Sequence, residues 1–281
     1  MTNSKTSNRT MGKGAATSMA AIAATLLLAT EAMAAGPPSG PLKKCPPDAV
    51  VSGAVCMDKY EASVWRIPAT NLAGKSNAGL IKKVQKGKAT AADMAAGNAT
   101  QLGTAGDDYA PCTDNGQTSC GDIYAVSLPG VTPAAFITWF QAQQACKNAR
   151  KRLPSNAEWQ AAVAGSPDPG SDSGTTDCNS VTGSVSLTGA RSSCVSSDGA
   201  FDMVGNLLEW VAHWVPLSTA CPGWGSFSND YMCLSGASTT DGPGALLRGG
   251  LYLNGALAGP LTVLGFQPSN SSSGIGFRCA R

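Results

Sequence analysis

Short patterned runs separated by long unpatterned stretches set the reading of this chain. Residues 45–65, CPPDAVVSGAVCMDKYEASVW, carry Val50, Val51, Val55 and Tyr60 in two β-type runs around a turn and predict strand–turn–strand. Asn71 to Gly106 is rich in Ala, Gly and Lys and weakly patterned, which predicts an exposed insertion. Thr132-Pro133 predicts a helix start, Thr as N-cap and Pro at the first position, with Phe136, Ile137, Phe140 and Cys146 on the apolar face. Lys147, Arg150, Lys151 and Arg152 crowd its end, where a solvated cluster of cations suits the helix dipole, and Pro154 stops it. Ser155-Asn156-Ala157-Glu158 is a capping box for a second helix reaching about Ala164. Gly165 to Val195 reads as a polar loop in which Asp168, Asp172 and Asp177 lack the spacing of an EF-hand. Near the C-terminus, Leu247 to Asn254 and Gly274 to Arg281 read as a fixed frame, with paired glycines beside Arg248 and a strand-like closing run. Between them, Leu251 to Ser273 is apolar and small with neither period.

The first residues change the picture of charge and compartment. Lys5, Arg9 and Lys13, an apolar stretch from Ala15 to Thr30, and Ala32-Met33-Ala34 match a secretory leader, so residues 1–34 are expected to be removed. Residues 35–44 form a linker, Pro/Gly-rich over Ala35–Pro41, and 45–281 are expected to be one domain. The formal net charge of +2 belongs to the leader, because without it the basic residues fall from 20 to 17 and the acidic ones from 18 to 17. Charge therefore gives no argument for a nucleic-acid partner, and no later apolar run is long enough to span a bilayer. The expected location is secreted or periplasmic. All ten cysteines lie beyond the leader, an even count that in an exported chain argues for disulfides. Their spacing invites the local pairs Cys45–Cys56, Cys112–Cys120, Cys178–Cys194 and Cys221–Cys233, which leaves Cys146 for Cys279.

Candidate chemistry is sparse. His213 is the lone histidine, too few for a zinc or multi-histidine iron site, and its position after Glu209-Trp210 suggests packing rather than catalysis. There is no G-x-S-x-G elbow and no P-loop. Asp202 and Glu209 bracket a Gly205-Asn206 turn, and hard oxygen ligands with backbone carbonyls between them suit calcium.

Four segments taken in order, Cys146 to Trp159, Asp202 to Trp210, Arg248-Gly249-Gly250 and Gly276 to Cys279, resemble the sulfatase-modifying, or formylglycine-generating, enzyme family. The resemblance implies an α+β fold, a loop-rich variant of the C-type lectin fold with two helices and twisted antiparallel strands. It implies a Cys146–Cys279 disulfide. It also implies structural calcium on Asp202 and Glu209, with backbone carbonyls from Gly205 and Leu207. The oxidising members hold copper between two cysteines, six and eleven positions after the matching arginine, where this chain has Asn254 and Gly259. Soft Cu(I) needs thiolates, so the comparison argues against copper and against formylglycine formation.

Leu251 to Phe266 also resembles the variable segment of retroelement-diversified proteins on the same fold. Leu251, Tyr252, Leu253, Ala256, Leu257, Pro260, Thr262, Leu264 and Phe266 would be the changeable positions, in a frame that includes Asn254. Lys, Glu, Gln, Met and Trp, which adenine-directed change of Asn codons cannot produce, are absent from Gly249 to Phe266. Strand-like alternation would put about half of these leucines in the core. The expected function is non-catalytic binding of a protein or glycan ligand through Leu251, Tyr252, Leu253, Asn254, Leu257, Leu264 and Phe266, with no catalytic residue assigned. An enzyme of another class in the same cleft, or a structural envelope module, are the alternatives.

Overall fold

The structure, a computed structural model, describes residues 44–106, 108–109, 122–168, 172–215, 221, 223–226, 228–234 and 242–281. The leader, the linker up to residue 43 and the Cys112–Cys120 pair lie outside the described residues. Three small sheets carry the fold. The predicted strand–turn–strand is an antiparallel hairpin of β1 (Ala49–Ser52) and β2 (Val55–Asp58). A three-stranded sheet follows, with β3 (Ala62–Arg66) between β4 (Thr100–Leu102) and β5 (Ile123–Ser127). The largest sheet joins β6 (Leu208–Val215), β7 (Met232–Cys233), β8 (Gly244–Arg248), β9 (Val263–Phe266) and β10 (Ile275–Phe277) in the order β10-β6-β8-β9-β7.

Both faces of β5 and β8 are covered, each strand being buried along its whole length. Val64, Ile123, Ala125, Trp210, Leu247, Leu264 and Phe277 meet in one buried cluster, which also takes Ile137 and Cys146. The indole N–H of Trp210 donates to Ile137 O at 2.9 Å, so its burial leaves no orphan donor. A second cluster centres on Trp159, Met203 and Val211. All the described residues fall within one unit, Gly40–Arg281.

Three predicted features take other forms. The first helix of the motif region, α3 (Trp139–Asn148), begins at Thr138, which forms a capping box with Gln141, and not at Thr132-Pro133. Residues 134–136 are drawn into other pairings, their N–H groups donating to Ala62 O, Gly103 O and Ser272 O. The stretch expected to be an exposed insertion holds α1 (Ala78–Gln85), α2 (Ala91–Ala96) and β4. Val84, Met94 and Leu102 are buried, and the Thr90–Asp93 capping box starts α2 without a long apolar period. Finally, the basic cluster after α3 is not simply solvated. Lys151 is buried with Nζ 2.7 Å from Asp48 and 2.6 Å from Asp58, and Arg152 pairs with Glu158. The second helix, α4 (Asn156–Ala162), has the expected Ser155–Glu158 box.

The chain end is woven into this frame. Cys279 is bonded to Cys146 of α3, Cys56 N–H donates to Arg281 O, and Ala280 pairs with Arg152. Cys45–Cys56, Cys178–Cys194 and Cys221–Cys233 are also bonded. These disulfides point to an oxidising, extracytoplasmic compartment. Among the described residues no helix is long and apolar enough to cross a membrane.

Candidate functional site

The turn between Phe201 and Glu209 is held by groups distant in sequence. Asp202 and Asn206 both take φ of 57°, a left-handed conformation in which Asx residues are enriched among non-glycines. Asn206 is buried and fully engaged. Its Oδ1 accepts from Asn179 Nδ2 and Ser186 N, and its Nδ2 donates to Glu61. Glu61 also accepts from Leu207 N at 3.1 Å, and Asp202 accepts from Gly189 N at 2.6 Å. The Glu209 carboxylate receives Arg278 through Nε and Nη2, at 2.6–2.9 Å, and Trp159 Nε1 at 2.7 Å. Burial pushes the Asp202 carboxyl up to about 6 and Glu61 well above its ordinary range, where the charges of Asp202 and Glu209 add to the rise.

Calcium is the ion that the resemblance implies here, and the residues as placed do not fit it. Calcium takes six to eight oxygens. Glu209 is committed to a guanidinium and an indole and Asp202 to a backbone N–H, and among the described residues no three His, Cys, Asp or Glu side chains are grouped so as to hold a metal ion. The positive charge opposite Glu209 is Arg278. Sequence reasoning missed Glu61 and Arg278. Arg278 could have been found from Glu209, a carboxylate in an apolar run that needs a buried cation; Glu61 gave no such signal.

The C-terminal segment is folded tightly on itself. Gly249 and Gly250 take φ of 88° and 86°, and a Cβ on Gly249 would lie 2.7 Å from Met203 O. The chain then returns, with Gly259 N donating to Gly249 O at 3.2 Å. Asn254 Oδ1 accepts from Leu251 N at 2.8 Å, and a 3-10 turn follows at Gly255–Leu257. At Gly259 a Cβ would lie 2.0 Å from Asp230 Oδ1, so a side chain there meets a carboxylate itself fixed by Leu261 N. Arg248 lies 4.7 Å over the Trp159 ring and donates to Gln160 and to Pro260 O, and burial holds its pKa down at about 10.

Of the predicted binding residues, Leu253 and Leu257 are 64% and 45% exposed. Val181 is 55% exposed and joins them, because Gly255 N donates to Ser180 O and Gly183 N to Tyr252 O. Val181 carried no signal in the sequence, being one of several aliphatic residues scattered without a period through a polar loop. Leu251, Asn254 and Phe266 are half-buried. Tyr252 and Leu264 are corrections: both are buried, Tyr252 with its hydroxyl on Ser273 and Leu264 paired with Leu247 in the sheet core. His213 is exposed and its Nδ1 accepts from Asn156 N, at the first residue of α4, rather than packing beside the turn.

Gly259→Ala is expected to lower stability by about 1–3 kcal/mol through overpacking. The three atoms nearest the added Cβ all belong to the Asp230 carboxyl group, so Gly259→Ala combined with Asp230→Ala should lose clearly less than the two single losses added together. Urea unfolding of the three variants measures this, and strictly additive losses would contradict the contact.

The sulfatase-modifying factor enzyme 1-like domain family matches residues 108–281, a stretch that contains every motif named above. The chain belongs to this family. A formylglycine-generating enzyme of Streptomyces coelicolor is 27% identical over 175 residues, 53% of this chain and 52% of that one, so the chain spans about half the length of this curated relative. Among solved structures, the Major Tropism Determinant P3c variant is similar at a TM-score of 0.42 and 18% identity, over 84% of this chain and 54% of that one. PvdO from Pseudomonas aeruginosa is similar at a TM-score of 0.35 and 22% identity, over 53% and 62%. Membership in the sulfatase-modifying factor family brings the lectin-type α+β fold with it. The departure of this member is in the segment after Arg248, where no cysteine occurs between Cys233 and Cys279.

Proposed function

We propose that this family member is an exported ligand-binding protein without oxidase activity, and that the ligand docks on the surface around Leu253 and Leu257. One observation carries the reading. Where the resemblance expects a thiol pair, the chain has an Asn whose side chain is held by Leu251 N and a Gly packed on Asp230, and beside them three large aliphatic side chains face solvent. Exposed apolar side chains that cluster, rather than scatter, mark interaction surfaces. The partner is a protein or glycan presenting an apolar face. Variation of this segment by a retroelement is part of the proposal, and a template copy of the 3′ end differing only at adenines would support it.

The test is binding of the purified chain to arrays of glycans and of bacterial surface proteins, beside Val181→Asp/Leu253→Asp/Leu257→Asp. A ligand held by the wild type and lost by the triple variant, with an unchanged thermal midpoint, is the expected result. Equal binding by the variant would refute the assigned surface.

A further inference from the structure

A second site lies outside the C-terminal segment. We propose that the cleft between the β2–β3 turn, the α1–α2 loop and the end of β5 binds a small organic anion with an apolar body, such as an aryl or cyclic carboxylate or sulfonate. Its volume is about 400 Å³, within the range of small-molecule sites. Pro47, Leu128 and Pro129 give it apolar walls, and the Tyr60 ring, stacked on Phe201 at 5.3 Å, gives it a flat one. None of its lining residues belongs to 248–266, and most precede the part of the chain that matches the family.

Charge decides the class of ligand. Lys59 and Lys88 line the cleft, and an adjoining cavity that shares Pro47 and Lys88 adds Lys44 and Lys86. Among the described residues none of these four lysines has a carboxylate within ion-pair distance. Lys59 is steadied over aromatic faces, its Nζ 5.6 Å from the Tyr60 centroid and 5.7 Å from that of Phe201. Asp48 is the one acid in the lining, and it is already engaged by Lys151 at 2.7 Å and Arg281 at 2.9 Å. Two of the three lining hydroxyls are engaged as well: Ser127 Oγ accepts from Tyr60 N, and Thr90 caps α2, which leaves the Tyr60 hydroxyl at the edge of its ring. What remains for a ligand is apolar wall, a ring face and uncompensated ammonium groups, whose potential draws anions and disfavours cations.

The probe is 8-anilinonaphthalene-1-sulfonate, titrated by fluorescence into the folded full chain, beside the neutral N-phenyl-1-naphthylamine. Saturable binding of the sulfonate is expected, weaker at high salt and about tenfold weaker in Lys59→Gln/Lys88→Gln. Ala91→Trp, an exposed lining position where the indole would fill the cleft, should also reduce it, while Lys82→Gln on α1 outside the lining should not. Thermal midpoints confirm that each variant is folded. Undiminished binding by the double lysine variant, or by Ala91→Trp, overturns the proposal. So does equal affinity for the neutral dye.

Discussion

Arg278→Met is expected to destabilise the protein by about 3–5 kcal/mol, the largest effect of any single side chain here. Arg278 is fully buried, and so are Glu61, Asp202 and Glu209 around it. Burial alone would lower its pKa, but the opposed charge of Glu209 and its hydrogen bonds, with Glu61 and Asp202 behind them, leave it raised. It also donates to Asp58 O and Phe201 O, tying the hairpin and the turn to the last strand. Methionine would fill most of the volume and leave the Glu209 carboxyl dry, without its cation and facing two other carboxyls. Removing the partner charge as well should recover much of the loss, since a buried pair replaced by apolar groups is often close to neutral. Urea unfolding of Arg278→Met, Glu209→Leu and the double variant tests this, and a double variant worse than Arg278→Met would contradict it. Because the guanidinium provides the positive charge at this turn, a calcium chelator should leave the unfolding midpoint in place.

Cys146→Ala/Cys279→Ala is expected to lose about 5 kcal/mol by the chain-entropy argument, because the bond closes a sequence separation of 133. The same argument gives about 3 kcal/mol for Cys45–Cys56, with a separation of 11. A domain stable by about 5–15 kcal/mol would lose a third or more of that margin. The effect acts chiefly on the unfolded chain, in which the bond keeps positions 146 and 279 together, since in the folded protein both cysteines are already buried in the main core. Denaturant midpoints of the two double variants decide it. Equal losses would show that loop length is not the controlling quantity.

The parts of this fold that could be read from sequence are those with local causes. The α4 capping box and the β1–β2 turn are set by neighbours within a few residues, and Cys178–Cys194 closes a sequence separation of only 16. Pro133 misled because its local helix preference loses to three backbone bonds from distant segments. The stretch 71–106 misled because its helices bury single residues, Val84 and Met94, too few to leave a period. At the site, the motif order located Arg248, Asn254 and Gly259. It could not show that Asp230 fills the space beside Gly259, or that Val181 joins Leu253, because both come from loops without a pattern. Arg278 was visible only as part of a framework, and its contact with Glu209 spans 69 positions.

The most direct test of the account is to incubate the purified chain with Cu(I), oxygen and a sulfatase-type cysteine peptide, and to follow the peptide by mass spectrometry. With Asn254 and Gly259 in place of the thiol pair, the peptide should keep its cysteine, while an active formylglycine-generating enzyme converts it under the same conditions. Conversion of that cysteine to formylglycine by this chain would contradict the account.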